Sequence, residues 1–246
     1  MSVPRQDIWR LRVHEVLPST SDLCRALAAS GEPAGFAALA RWQTAGRGSR
    51  GRDWESPAGN LYLSVLLRPR ERARDAAQWS LLAGVALVET LAVYLPDPSA
   101  LRLKWPNDVL LRGRKLAGIL VDSSADADGM VEWLVIGLGA NLAEAPEVPG
   151  RAVACLADIA APPAPEQVAE RLLARLAHWQ AVRAANGFAP IRAAWLSRAP
   201  EPGSPVTLRL GQTQLAGAFA GLGEDGALLL TTESGTRTFA TGEVLL

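Results

Sequence analysis

Ala76 to Leu95 is the longest apolar run of the chain, interrupted only by Gln78, Ser80, Glu89 and Thr90 and closed by Pro96. Those interruptions argue against a membrane span and predict a helix buried inside the molecule. Because 49% of the 246 residues are apolar, the chain can build a substantial core around it, as one large domain or as one domain plus a small one.

Around this helix, β-type runs outnumber helical ones. Trp9 to Val16 reads as a first strand. A helix then opens at Pro18–Asp22 with Ser19 as its N-cap, runs to about Ala29 and stops at Gly31. Gly35 to Gln43 and Leu61 to Leu67 read as strands on either side of a loop, 44–60, that is rich in glycine and arginine. Leu101 to Lys104, Leu116 to Val121 and Trp133 to Leu138 are further extended runs. Their spacing is too uneven for repeated βαβ units, so the expectation is an α+β fold on a mixed sheet.

Pro162 to Pro165 breaks the pattern. Glu166 to Ala185 then carries a helical stripe of Val168, Leu172, Leu176 and Trp179, and a shorter helix follows from Pro190 to Ser197. The proline-rich stretch Pro200–Pro205 marks a boundary and divides the chain into domains 1–199 and 200–246. Beyond it, the alternation of Val206, Leu208 and Leu210, with turns at Gly211, Asp225–Gly226 and Ser234–Gly235, predicts short antiparallel strands forming a small β-barrel.

A formal net charge of zero gives no broad field for nucleic acid or an anionic membrane, so neither is an expected partner and any anion must be held by a local cluster. Met1 to Arg10 has no apolar core of a signal peptide. Cys24 and Cys155 read as two buried thiols rather than a disulfide framework. A cytoplasmic, soluble protein is expected. His14 and His178 lack partners at metal-ligand spacing, and no protein-held metal site is expected.

Two features point to anion chemistry. In the loop, Gly46-Arg47-Gly48-Ser49-Arg50-Gly51-Arg52 sets three guanidinium groups within six residues of mobile backbone. Its glycines match G-x-G-x-x-G, but Trp54 to Asn60 cannot be the helix that a dinucleotide fingerprint requires. Like charges repel when no ligand is present, so this loop is expected to order on binding. Secondly, of 25 basic residues only Lys104 and Lys115 are lysines, which suggests sites where a compact ammonium is needed. In Lys104-Trp105-Pro106-Asn107-Asp108, the proline is expected to hold Trp105 extended and turn the polar pair out of the sheet. Lys115 should start a strand whose Gly118 allows a ligand close to the backbone.

The chain resembles the biotin protein ligases at Ser19-Thr20, at Gln43 with the 46–52 loop, at Trp54 and Asn60-Leu61-Tyr62, at KWPND over 104–108, at RKLAGIL over 114–120 and at Gly137-Leu138-Gly139-Ala140-Asn141. The resemblance covers about Ser19 to Leu142, and the β tail fits the family's small, SH3-like C-terminal barrel. It implies ATP and Mg²⁺ as cofactors, biotin as substrate, and a biotin carboxyl carrier protein or domain as acceptor, with the enzyme a monomer or homodimer. Lys115 and Arg47 would bring carboxylate and α-phosphate together, and Asp108 could accept a proton from the incoming lysine. Ser19, Thr20, Ser21, Gln43, Gly46, Arg47, Gly48, Ser49, Lys115 and Gly118 would form the biotin site. Arg50, Arg52, Trp54, Asn60, Lys115 and Asn141 would form the ATP and adenylate site.

Two positions depart from the family pattern. Ser21 stands where Asn is usual, and Ser49 where many members carry an arginine associated with retaining the reactive intermediate. Either Arg50 takes over or the adenylate escapes more readily. About eighteen residues precede Ser19, so no DNA-binding domain and no repressor activity are expected. A lipoate ligase and a non-catalytic biotin sensor are the alternatives.

Overall fold

The computed structural model describes residues 9–245. The expectation that Met1–Arg10 lacks a signal sequence falls, as far as position 8, outside the described residues. The apolar run becomes helix α2 (Gln78–Ala92), buried along nearly its whole length. Each of its four polar interruptions has a partner. Gln78 Nε2 donates to Asp225 O, Ser80 Oγ to Pro106 O and Thr90 Oγ1 to Ala86 O, while Glu89 Oε2 accepts from Trp179 Nε1 at 3.0 Å. A buried polar group with no partner costs about 1–3 kcal/mol, so these bonds let the helix sit inside the core.

On one side of α2 lies a seven-stranded sheet: β1 (Arg10–Leu17), β2 (Phe36–Gln43), β3 (Leu61–Leu67), β4 (Leu101–Lys104), β5 (Asp108–Leu111), β6 (Arg114–Ala125) and β7 (Val131–Ala140). Their order is β1-β2-β3-β7-β6-β5-β4. β1 and β2 are parallel and all other neighbours antiparallel, so the sheet is mixed, as expected. Helix α1 (Thr20–Ala29) packs on the opposite face through Cys24 and Ala28, with Ser19 Oγ capping it by accepting from Asp22 N. Helices α3 (Pro165–Asn186) and α4 (Ala189–Leu196) complete the layer around α2.

β5 was not expected. It is four buried residues joined to β6 through Arg112 and Gly113, both with positive φ. That is the two-residue turn a tight hairpin needs, but Arg in its first position hides the signal usually carried by Asn or Asp. Asp108 correspondingly does not turn out of the sheet. It begins β5 and is 7% exposed.

The tail forms an antiparallel sheet of β8 (Pro205–Leu210), β9 (Thr213–Leu222), β10 (Leu228–Thr232), β11 (Gly235–Phe239) and β12 (Glu243–Leu245), in the order β11-β10-β9-β8-β12. Among the described residues no ladder joins β11 to β12, so the expected barrel is open in its hydrogen bonding. This sheet docks directly beside the KWPND turn: Trp105 Nε1 donates to Gly226 O and Lys104 Nζ to Val244 O. Both cysteines are buried and unbridged. Burial pushes the Cys24 thiol up to about 12, which leaves it an inert packing group. No described helix is long and apolar enough to cross a membrane.

Candidate active site

A cavity of about 310 Å³ opens where the N-terminus of α1, the end of β2, the 44–60 loop and strands β6 and β7 converge. Ser19, Thr20, Ser21, Gln43, Arg47, Gly48, Ser49, Arg52, Trp54, Lys115, Gly118 and Asn141 all line it. Stretches as far apart in the chain as Ser19 and Asn141 are thus brought to one place by the antiparallel pairing of β3, β7 and β6.

One end of the cavity holds a connected polar network. Gln43 Oε1 accepts from the Thr20 backbone N–H at 2.8 Å and from Thr20 Oγ1 at 3.2 Å, while Thr20 Oγ1 lies 2.8 Å and Ser21 Oγ 3.1 Å from Ser64 Oγ. Gln43 Nε2 donates to Ser56 Oγ, whose own hydroxyl donates to Trp54 O. All these side chains are buried or nearly so. Buried hydroxyls and amides in such a chain can reorient to meet a small polar ligand without leaving a donor stranded. Ser21 faces Gly137, where any added Cβ would collide with its hydroxyl.

Glycines shape the floor. The Trp54 indole lies on Gly118 and Gly139, where an added Cβ would come within 3.0 Å and 2.7 Å of its ring. Gly46 does not itself line the cavity. A Cβ there would strike Trp54 O and Ser56 Oγ, so the glycine permits the turn that carries Trp54 inward. Trp54 Nε1 and Asn141 Oδ1 are buried without a partner, while Asn141 Nδ2 donates to Ala154 O. One unmatched donor and one unmatched acceptor in the same cavity suit a ligand that offers both.

The two lysines share one carboxylate. Lys115 Nζ is 2.6 Å from Asp108 Oδ1, and Lys104 Nζ is 2.8 Å from Asp108 Oδ2. Burial alone would raise the Asp108 pKa, but the two ammonium groups outweigh it and hold the carboxyl below the ordinary carboxylate range. With both oxygens engaged by cations the carboxylate is a poor proton acceptor in this arrangement, and it ties Lys115 to Lys104. The Lys115 ammonium also lies 5.4 Å from the centre of the Trp54 ring.

The arginines are not left to repel one another. Arg47 Nη1 is 2.9 Å from Asp22 Oδ1 and 3.3 Å from Asp122 Oδ2, and Arg50 and Arg52 reach Glu243 at 2.7 Å and 2.9 Å. The loop is closed on itself by Gly48 N to Arg52 O and Trp54 N to Gly46 O. The repulsion expected from the loop alone is offset by carboxylates from α1, β6 and β12, which no local reading could assign to it. Arg50 points toward a smaller cleft that it shares with Asp108 and Glu243, and does not line the main cavity.

Asn60 also departs from expectation. It is fully buried and outside the lining; its Oδ1 accepts from the N–H groups of Leu142, Ala143 and Glu144, and its Nδ2 donates to Glu144 O. Through these four bonds its amide clamps the segment after β7. Conversely, Pro146, Val148, Pro149, Arg151 and Val153 line the cavity from a segment that carries no periodic signal, and Glu243 enters from the C-terminal sheet. These residues were invisible because nothing local in the sequence ties them to the site.

Residues 13–141 match the Biotin/lipoate A/B protein ligase family and residues 203–246 the Biotin protein ligase C terminal domain. The chain is 42% identical to a biotin–(acetyl-CoA-carboxylase) ligase of Paracoccus denitrificans, over 84% of this chain and 88% of that protein. It is 33% identical to one of Mycobacterium tuberculosis, over 92% and 85%. The structure of a biotin protein ligase from Aquifex aeolicus in complex with biotin and ATP superposes with a TM-score of 0.82 at 29% identity, covering 96% of this chain and 97% of that one. With its sheet order, its cavity and its C-terminal sheet, the chain belongs to the Biotin/lipoate A/B protein ligase family, among the biotin protein ligases.

Proposed function

We propose that this protein joins biotin to ATP as biotinyl-5'-AMP, with release of pyrophosphate, and then passes the biotinyl group to a lysine of a biotin carboxyl carrier protein or domain. The observation that carries this reading is one cavity with a buried hydroxyl and amide network at Thr20, Ser21 and Gln43 together with the ammonium of Lys115 and the guanidinium of Arg47. A cyclic urea offers two donors and one acceptor to such a network. The dithiolane of lipoate offers neither, which favours biotin over a lipoyl substrate.

Adenylation brings a carboxylate oxygen against the α-phosphorus. As the new P–O bond forms, the bond between the α-phosphorus and the α–β bridging oxygen breaks, and its electron pair leaves with pyrophosphate. Two anions must approach, and Lys115 and Arg47 neutralise them in a cavity where charge interactions are stronger than in water. Asp108 holds Lys115 in place. Trp54 and Asn141 receive the adenine, and Arg52 the phosphates. ATP enters as its magnesium complex. Magnesium on the triphosphate would supply further neutralisation of its charge. Residues 1–199 supply the catalytic domain and 200–246 a small domain whose Glu243 tethers the loop. The protein works in the cytoplasm, as a monomer or homodimer, without nucleic acid.

Biotin-dependent exchange of labelled pyrophosphate into ATP tests the reading. Exchange with biotin supports it; exchange with lipoate alone would make the protein a lipoyl ligase, and exchange with neither would leave a non-catalytic binder.

A further inference from the structure

Four guanidinium groups surround one carboxylate at the edge of the cavity. Glu243, its side chain only 12% exposed, takes Arg52 and Arg151 on Oε1 at 2.9 Å and 3.0 Å, and Arg50 and Arg209 on Oε2 at 2.7 Å and 3.7 Å. One negative charge cannot balance four positive ones. The excess of positive charge sits at Glu243, on the edge of a cavity whose lining also includes Asp53 and Glu55 as well as Lys115. Such an excess suits an anion with several charges spread over several oxygens.

Arg151 stands apart from the other three. It lies on the segment after β7, lines the main cavity together with Arg52 and Lys115, and sits among Pro146, Val148, Pro149 and Val153, where no other charged residue of that segment lines the cavity. Its backbone position is coupled to Lys115: the Lys115 N–H donates to Ala152 O at 2.9 Å and the Ala154 N–H donates to Lys115 O at 2.9 Å. The backbone next to Arg151 is therefore tied to the strand start that carries Lys115, and both side chains line the same cavity.

We propose that Arg151 is a further binding residue for the β- and γ-phosphates of ATP, and hence for the pyrophosphate that leaves. The proposal rests on the adenylation reading given above. When the bond between the α-phosphorus and the bridging oxygen breaks, the departing pyrophosphate gains a negative charge, and Arg151 with Arg52 neutralises it on the side away from the biotin carboxylate. Arg151 loses its contact to Glu243 when it takes up phosphate, and Arg50 keeps that carboxylate paired.

Arg151→Gln in the full chain tests this. The KM for magnesium ATP should rise about tenfold, and inorganic pyrophosphate should weaken as a product inhibitor by a similar factor, as removal of one charge-assisted contact does. Affinity for biotinyl-5'-AMP, which has no β- or γ-phosphate, should stay within about twofold of the parent, and Arg151→Lys should recover part of the loss. Unchanged ATP and pyrophosphate affinity in the glutamine variant would overturn the assignment. Equal weakening of ATP and biotinyl-5'-AMP would also overturn it and make Arg151 a brace for its segment. Absence of biotin-dependent exchange in the parent protein would instead bring down the adenylation reading, and this proposal with it.

Discussion

The ammonium of Lys115 lies 2.6 Å from Oδ1 of Asp108, and the second oxygen of that carboxylate is held by Lys104 at 2.8 Å. The only two lysines of the chain thus meet on a single buried acid, one strand start facing one strand end across β5. Lys115 is positioned before any substrate arrives, and the groups that position it come from the KWPND turn.

Replacing Lys115 with Ala should abolish most adenylate formation while leaving the fold intact, because Asp108 keeps Lys104 as its partner. A loss of roughly 10²–10³ in the rate of biotin-dependent pyrophosphate exchange is expected, the scale of removing one preorganised electrostatic contact. Circular dichroism should be unchanged. A variant that exchanges at the parent rate would show that the ammonium is dispensable.

Asp108→Asn removes the charge that both lysines share. Because the folded-state pKa of Asp108 lies below its ordinary 3.8, its contribution to stability is present above that pH and is lost as pH falls through the lower folded value. The asparagine variant should be less stable than the parent at pH 7, by about 3–5 kcal/mol if the lysines do not relax. The difference should shrink in acid below about pH 3.8, as urea unfolding across pH would show. Asp108 should add no limb to the activity profile near neutral pH.

Asn60→Ala separates a clamp from a nucleotide contact. Three backbone N–H groups lose their acceptor, and a cost of about 2–4 kcal/mol is expected, visible as a lower melting temperature. Adenine should bind more weakly only through the loosened segment. A variant of unchanged stability with a large loss of ATP affinity would contradict the clamp.

Ser49→Arg tests retention of the intermediate. Ser49 lines the cavity and accepts from Arg52 Nη2 through its hydroxyl, whereas Arg50 pairs with Glu243 in the neighbouring cleft and does not line the main cavity. The arginine variant should release biotinyl-5'-AMP more slowly, by about tenfold for one added charge-assisted contact. Equal release rates measured by rapid filtration would sink the leakage idea.

Glu243→Gln should untie the loop from the C-terminal sheet. Arg50, Arg52 and Arg151 are each about a third or more exposed, so the cost to global stability is discounted to about 1–2 kcal/mol. The clearer sign is local: amide hydrogen exchange over residues 46–54 should quicken while β3 and β7 stay protected. Uniform protection in the variant would mean the loop is held by its own backbone bonds alone.

Much of this protein is already determined along the chain. The apolar run at 76–95 required a buried helix, and the alternation beyond Pro205 required short strands, because burial periodicity is a local property. The Arg bias that spared Lys104 and Lys115 marked the reacting segment, since a compact ammonium and a planar guanidinium fill different sites. Only the tertiary structure decided which carboxylates answer the arginines of the loop. Asp22, Asp122 and Glu243 lie on α1, β6 and β12, and a Coulomb partner is chosen by distance in space rather than by separation in sequence. The same reason set Asn60 as a clamp on the segment after β7 and brought Arg151 to the cavity. Hydrogen-bond saturation and charge pairing depend on what sheet pairing carries alongside, and the pairing of β6 with β7 exists only once the chain has folded.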